Sequence, residues 1–311
     1  MSEARLPNLI VVGAPKAGTG SLFAYLSQHP DICPADEKEV GYFNYYNPLR
    51  HTGAVPPIEE YTQHFAHCGC ERYRFEATPT YSYGGAPVIE AIRRLIPDVR
   101  IILTLRNPVD RLWSAYTFQR ELGNLAEIGS FDAYVRRCME TKRTAADLVP
   151  RDHLHGLYIG FYAEYVPRWL DAFGDAVRVL FVEDMARDAE AVMSGVFRWL
   201  DIDDDVSAMN LVPRNRTNHP RSIRLAKLAY SAKRSADRRG LLPTAVRDPI
   251  RRLYWRANKG EAPGGLDSGT RARLTDLYAE SNAATARALA AHGYERLPAW
   301  LAAASPHEAA Q

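Results

Sequence analysis

Residues Leu9-Ile-Val-Val-Gly-Ala-Pro-Lys-Ala-Gly-Thr-Gly-Ser-Leu22 join an unbroken apolar run to a glycine-rich turn that carries a lysine. An apolar run without alternation reads as a central parallel strand covered on both faces. The turn after it reads as an anion cradle leading into a helix. Gly13 and Gly18 have the spacing of a nucleotide-binding P-loop, but Thr19 stands where that loop has its lysine, and Lys16 lies two residues before Gly18. The cradle therefore predicts a phosphate ligand while arguing against ATP or GTP with magnesium. A strand-to-helix turn aims the amides of Gly18, Thr19, Gly20 and Ser21 at one point, and the helix dipole adds to them.

Outward from this stretch, apolar strands alternate with helical periodicity. Strands are predicted at 8–13, 73–76, 100–105 and 177–182. Helices are predicted at 21–28, 87–95, 109–120, 160–173, 189–200 and within 270–300. Residues 31–71 read as irregular. Alternation of this kind implies an α/β fold: a P-loop-like domain with a central parallel sheet flanked by helices, and ligand at the carboxyl ends of the strands. One domain over 1–311 is expected, with a basic helical insertion at about 222–268 and a short disordered tail at about 303–311.

The chain has 311 residues and a formal net charge of +2, which argues against a general nucleic-acid binder. Its four cysteines, Cys33, Cys68, Cys70 and Cys138, form no disulfide framework and read as free thiols in a reducing compartment. The N-terminus shows no leader pattern and no apolar run approaches membrane-spanning length, so a cytoplasmic, soluble protein is expected. The run His64-Phe-Ala-His67-Cys68-Gly-Cys70 lacks a second, separated ligand pair, so no metal is expected. His29, before Pro30 at a helix end, reads as a cap. Residues 214–258 hold thirteen Lys or Arg against two Asp. A solvated helical face is the first reading, a basic rim for an anionic ligand the second, and contact with an anionic membrane surface the third.

A second anion site lies at Arg106-Asn-Pro-Val-Asp-Arg-Leu-Trp-Ser114. A phosphate-transferring NTPase ends its corresponding strand in a magnesium-binding Asp. Here the strand ends in Arg106, with the Ser114 hydroxyl two helical turns further on. Two cationic sites without a metal carboxylate imply a ligand with two separated phosphates, which describes 3'-phosphoadenosine 5'-phosphosulfate (PAPS).

On these residues the chain resembles the PAPS-dependent sulfotransferases, in the branch that includes the heparan sulfate and related bacterial enzymes. Leu26-Ser-Gln-His-Pro-Asp31, Lys38-Glu-Val-Gly-Tyr-Phe43, Glu76-Ala-Thr-Pro-Thr-Tyr81, Gly160–Trp169 and Leu277–Trp300 support the resemblance. It implies that Lys16, Ala17, Gly18, Thr19, Gly20 and Ser21 hold the 5'-phosphosulfate, and that Arg106 and Ser114 hold the 3'-phosphate. It also implies a base at Glu39, a leaving-group cation at Lys16, and Arg216 and Thr217 over the adenine and 3'-phosphate. Tyr162 reads first as core and second as a neighbour of the 3'-phosphate. The sequence departs from the family at Gly41, where relatives often carry His, and at Ala77, where they often carry Lys. The acceptor is therefore expected not to be a heparan-like polyanion.

The resulting expectation is sulfuryl transfer from PAPS to a hydroxyl, with an amine second, on a small-molecule or glycan acceptor, without metal or nucleic acid. The alternatives are a P-loop kinase acting on a small metabolite and a non-catalytic protein that binds 3',5'-ADP or serves as a scaffold. The sequence leaves the oligomeric state open.

Overall fold

The computed structural model describes residues 6–48, 51, 53–141, 153–213, 220–238, 253–254, 256–260 and 265–302, with 232–238 as backbone only. In chain order the elements are β1 (Leu9–Gly13), α1 (Thr19–Leu26), β2 (Ile32–Pro34), α2 (Ile58–Gln63), β3 (Tyr73–Ala77), α3 (Ala86–Leu95), β4 (Arg100–Leu105), α4 (Pro108–Glu121) and α5 (Phe131–Glu140). They continue with α6 (Val166–Phe173), β5 (Val177–Phe181), α7 (Val182–Arg187), α8 (Ala189–Leu200), α9 (Ile223–Arg238) and a long C-terminal helix, Ser268–Ala291.

The five strands form one parallel sheet in the order β2-β3-β1-β4-β5. Alternation along β1 sends Leu9 and Val11 to one face and Ile10 and Val12 to the other. The first pair packs with Phe75, Leu22 of α1, and Met193, Val196 and Phe197 of α8. The second packs with α3, with Trp169 and Leu170 of α6, and with Leu289 of the C-terminal helix. Burial on both faces explains why β1 reads as a continuous apolar run. The chain builds β2 and β3 on one side of β1, then crosses to β4 and β5 on the other. The crevice at the carboxyl end of β1, where this reversal occurs, is the expected ligand position in such a sheet.

Several sequence expectations need correction. Residues 31–71 contain β2, α2 and a 3-10 turn at Tyr42–Tyr46. The span 160–173 is two 3-10 turns followed by α6, because Pro167 sets the first turn of the helix. The C-terminal helix stops at Ala291 and a four-residue helix follows at Ala299–Ala302. Cys33 of β2 and Cys68 are joined as a disulfide, whereas Cys70 and Cys138 are free. Pairing across 35 residues depends on β2 bringing its end beside the turn after α2. Of the basic 222–268 stretch, the described part is residues 222–238, which include α9, with 253–254, 256–260 and 265–268. The tail at 303–311 lies outside the described residues.

Trp169 ties the sheet to the turn after β3. It is fully buried, stacks on Phe173 and donates from Nε1 to the Ser82 carbonyl at 2.7 Å. Trp169→Ala is expected to cost about 4 kcal/mol by cavity formation. Trp169→Phe should cost about 2 kcal/mol, much of it from the carbonyl left unpaired. Urea unfolding of the two variants measures both.

Candidate functional site

The loop after β1 is fixed from beneath before it meets any ligand. The Ala14 amide donates to the Thr104 carbonyl and the Thr104 hydroxyl donates to the Gly13 carbonyl, both at 2.8 Å. Gly13 passes so close to Ser82 that a Cβ there would lie 2.5 Å from Oγ. Gly18, at φ 82°, caps α1 in the left-handed region, and a Cβ would press on Val182 and Met185 of α7 at 3.2 Å. The helix begins at Thr19, two residues earlier than its sequence suggested. The Ser21 amide consequently bonds the Gly18 carbonyl at 3.0 Å, so it is not one of the free donors. Gly18, Thr19 and Gly20 keep the first-turn amides, which have no intrahelical acceptor by position.

Lys16 sits at the centre of this loop with φ 67°. Its ammonium lies 3.8 Å from the centre of the Phe118 ring of α4. Burial pushes its pKa down to about 8, with further charge effects from Glu121, Arg106, Glu39 and Lys38. These four charges place the Lys16 neighbourhood at the meeting of the β1 loop, the β4 tip, α4 and the 38–39 turn. Among the described residues no ion pair reaches either Lys16 or Arg106. These residues suit a phosphate ligand: two cations and a helix N-terminus converge, and among the described residues no carboxylate is paired with either cation.

Arg106 follows the last residue of β4. Its backbone is gripped by Tyr162, whose hydroxyl donates to the Arg106 carbonyl at 2.6 Å and accepts from its amide at 3.3 Å. Burial pushes the Tyr162 phenol up to about 12, so it stays protonated. Tyr162 is thus both a core residue and the clamp on the β4 tip. An Arg106 Nη1 contact reaches the Lys16 carbonyl at 3.5 Å. Asn107 caps α4 by accepting from Val109 and Asp110, and its own amide donates to Glu183. Ser114 is half-buried on α4 and precedes Phe118 by one helical turn. That spacing places it on the helix face that meets Lys16.

Glu39 lies in a turn with φ 66°, and its Oε1 accepts from Lys38 Nζ at 2.6 Å. Its side chain is 56% exposed, so the pair is open to solvent. Among the described residues, three non-glycine residues have positive φ: Lys16, Glu39 and Asp201, the last ending α8. Strained backbone of this kind gathers at functional sites. Ala77 is buried in the core rather than lining the site. Arg216 and Thr217 lie outside the described residues.

Phe118, Glu121 and Glu183 were not found by sequence reasoning. The one available signal was the position of Phe118 four residues after Ser114. His29 is buried, meets the Asp203 carbonyl at 2.8 Å and accepts from the Asp31 amide, a structural role. His67 lies 3.5 Å from Cys33 Sγ, and its neighbour His64 is paired with Asp36. Among the described residues no helix is long and apolar enough to cross a membrane.

A family model described as the sulfotransferase domain matches residues 6–241. The bifunctional heparan sulfate N-deacetylase/N-sulfotransferase of Drosophila melanogaster is 26% identical over 310 residues, covering 95% of this chain and 27% of the relative. The human bifunctional heparan sulfate N-deacetylase/N-sulfotransferase 2 is 25% identical, covering 96% of this chain and 31% of the relative. The chain therefore spans less than a third of the length of these curated relatives. A sulfotransferase crystal structure from Alicyclobacillus acidocaldarius matches with a TM-score of 0.66 at 24% identity. It covers 94% of this chain and 98% of that one, a likeness of fold.

Proposed function

Because this chain belongs to the sulfotransferase domain family, we propose that it transfers a sulfuryl group from PAPS to an acceptor hydroxyl, with an amine as the second choice. The observation that carries this reading is the convergence of Lys16, Arg106 and the α1 N-terminus at the carboxyl ends of β1 and β4, with no ion pair to either cation among the described residues.

PAPS, when bound, supplies an activated sulfuryl group on a phosphate leaving group. Lys16 and the amides of Gly18, Thr19 and Gly20 neutralise charge that grows on that phosphate as the bond to sulfur breaks. Ala17 and Ser21 are assigned to the same cradle by the family resemblance alone, because the Ala17 side chain lies in the core and the amides of both residues are bonded within the loop. Arg106 and the Ser114 hydroxyl hold the 3'-phosphate, and Tyr162 fixes Arg106 by its backbone. Glu39 accepts the proton of the attacking hydroxyl. Lys38 neutralises Glu39 before the acceptor arrives. These groups act without a metal. Arg216 and Thr217 are assigned to the nucleotide by the family resemblance alone.

We propose a small-molecule or glycan acceptor that lacks the dense negative charge of heparan sulfate, since Ala77 offers no cation to the site. Its identity is accessible by incubating an extract with labelled PAPS and locating the label by mass spectrometry. Transfer that depends on the protein supports the proposal. Absence of transfer, together with magnesium-dependent ATP binding, overturns it.

Anion binding should also report the Lys16 titration. The ligand favours the ammonium, whose pKa in the free protein is about 8. Deprotonation above that pH weakens 3',5'-ADP binding, and protonation below it preserves binding. Affinity is expected to be level near pH 7 to 7.5 and to fall by up to about tenfold per pH unit above 8. Ligand phosphates are fully charged well above pH 6 and do not contribute to that fall. Calorimetry at several pH values measures it, and Lys16→Ala should flatten the dependence.

A further inference from the structure

Glu76 is the one fully buried carboxylate among the described residues. It stands near the end of β3, one strand away from the phosphate loop. Its Oε1 accepts from the Tyr61 hydroxyl at 2.6 Å and the Tyr81 hydroxyl at 2.9 Å, and its Oε2 accepts from the Thr78 hydroxyl at 2.6 Å. Two of these hydroxyls are themselves acceptors. The Gly41 amide donates to Thr78 Oγ1 at 3.1 Å, and the Phe43 amide donates to the Tyr81 hydroxyl at 3.2 Å. Two relays therefore run from the carboxylate, through one hydroxyl each, to backbone amides two and four residues beyond Glu39.

The direction of these bonds requires an acceptor at their root. A hydroxyl has one proton to give. Once Thr78 and Tyr81 accept from amides, each proton must go to another acceptor, and Glu76 takes both as well as that of Tyr61. Burial pushes the Tyr61 and Tyr81 phenols far above their ordinary range, so both remain donors, and burial also pushes the Glu76 carboxyl up, opposed by the hydrogen bonds from Thr78, Tyr61 and Tyr81. Chains of this kind reinforce each other where water is excluded. Aromatic packing closes over them: Tyr42 stacks on Tyr61 with centroids 4.5 Å apart, and Phe43 meets Tyr61 and Tyr81 edge to face.

The segment held in this way is strained. The strain lies at Glu39, with φ 66°, whereas Gly41 takes φ 77° freely. Left-handed backbone at a glutamate costs about 1 kcal/mol and persists only where surrounding contacts hold it. We infer that Glu76 is a positioning residue that holds the Glu39 turn in its left-handed conformation through Thr78 and Tyr81, setting the base against the phosphate loop. The role of Glu39 within this inference rests on the proposed function; the hold on the 39–43 turn does not.

Two measurements separate the two claims. The first is hydrogen exchange of the 38–46 segment in Glu76→Gln, which needs no ligand. The Gln amide group would face the Thr78 proton, so one relay loses its acceptor. Exchange at Gly41 should rise at least about tenfold, with a smaller rise at Phe43, while the β1 and β4 amides remain protected. Unchanged exchange overturns the inference, whatever the activity. The second is a double-mutant cycle on PAPS turnover with water as acceptor. Glu76→Gln should lower kcat by about 100-fold when Glu39 is present, as expected for a misplaced base. In the Glu39→Gln background it should lower kcat less than about threefold. Binding of 3',5'-ADP should be unchanged in both. Thr78→Ser should behave as the parent, and Thr78→Val should reproduce part of the loss. Equal losses in both backgrounds mean a purely structural role and contradict the positioning claim. A wild-type protein that neither consumes PAPS with water nor transfers label to any component of an extract instead rejects the proposed function, and exchange at Gly41 and Phe43 still decides the hold.

Discussion

Lys16→Ala should lower sulfuryl transfer by about 1,000-fold or more and weaken 3',5'-ADP binding by about 100-fold. Removal of one preorganised donor from developing charge costs about 3–4 kcal/mol in other acyl- and phosphoryl-transfer sites. Lys16 brings a full charge, partly desolvated and held against Phe118. The larger effect on rate than on binding follows because the leaving phosphate gains charge as the sulfur bond breaks. Lys16→Gly offers a control. It removes the same ammonium but suits the φ of 67°, so it should be about 1 kcal/mol more stable than Lys16→Ala and equally inactive. A stable, inactive glycine variant separates loss of function from loss of fold.

Glu39→Gln should leave 3',5'-ADP affinity within about threefold and lower kcat by about 100- to 10,000-fold, the range for loss of a general base. The amide keeps the shape of the side chain and cannot accept the proton. The ion pair with Lys38 is open to solvent, so its loss should cost little stability. Steady-state kinetics on the acceptor found with labelled PAPS, with calorimetry beside them, measure the split. Normal turnover by Glu39→Gln would show that the base is elsewhere.

The parts of this site that are local in sequence were legible from it. The apolar run of β1, the glycines at 13 and 18, and the Arg106-to-Ser114 spacing each lie within one strand–turn–helix unit, where residue type and backbone requirement coincide. Arg106 in place of a metal carboxylate was the most informative single residue. The parts made by distant contacts were not legible. β2 is three residues long and ends in Pro34, too short to show a periodicity. Without it, Cys33 had no visible reason to meet Cys68. Glu76, Tyr61 and Tyr81 come together only when β3, α2 and the turn at 79–81 pack, and Phe118 finds Lys16 only when α4 folds beside β1. Tyr162 shows the same division: its burial was expected, while the use of its hydroxyl to hold the Arg106 backbone depends on the meeting of two elements 56 residues apart.

We propose that this crevice holds two separated phosphates without a metal, Lys16 and the α1 amides taking one and Arg106 with Ser114 the other. Calorimetry with 3',5'-ADP and adenosine 5'-phosphate, each with and without EDTA, tests it most directly. A Kd for 3',5'-ADP of about 10 μM or tighter is expected. Affinity for adenosine 5'-phosphate should be weaker by about 100-fold, since Arg106 loses its charge-assisted contacts, and EDTA should affect neither. Equal affinity for the two nucleotides, or binding that disappears with EDTA, would contradict the proposal.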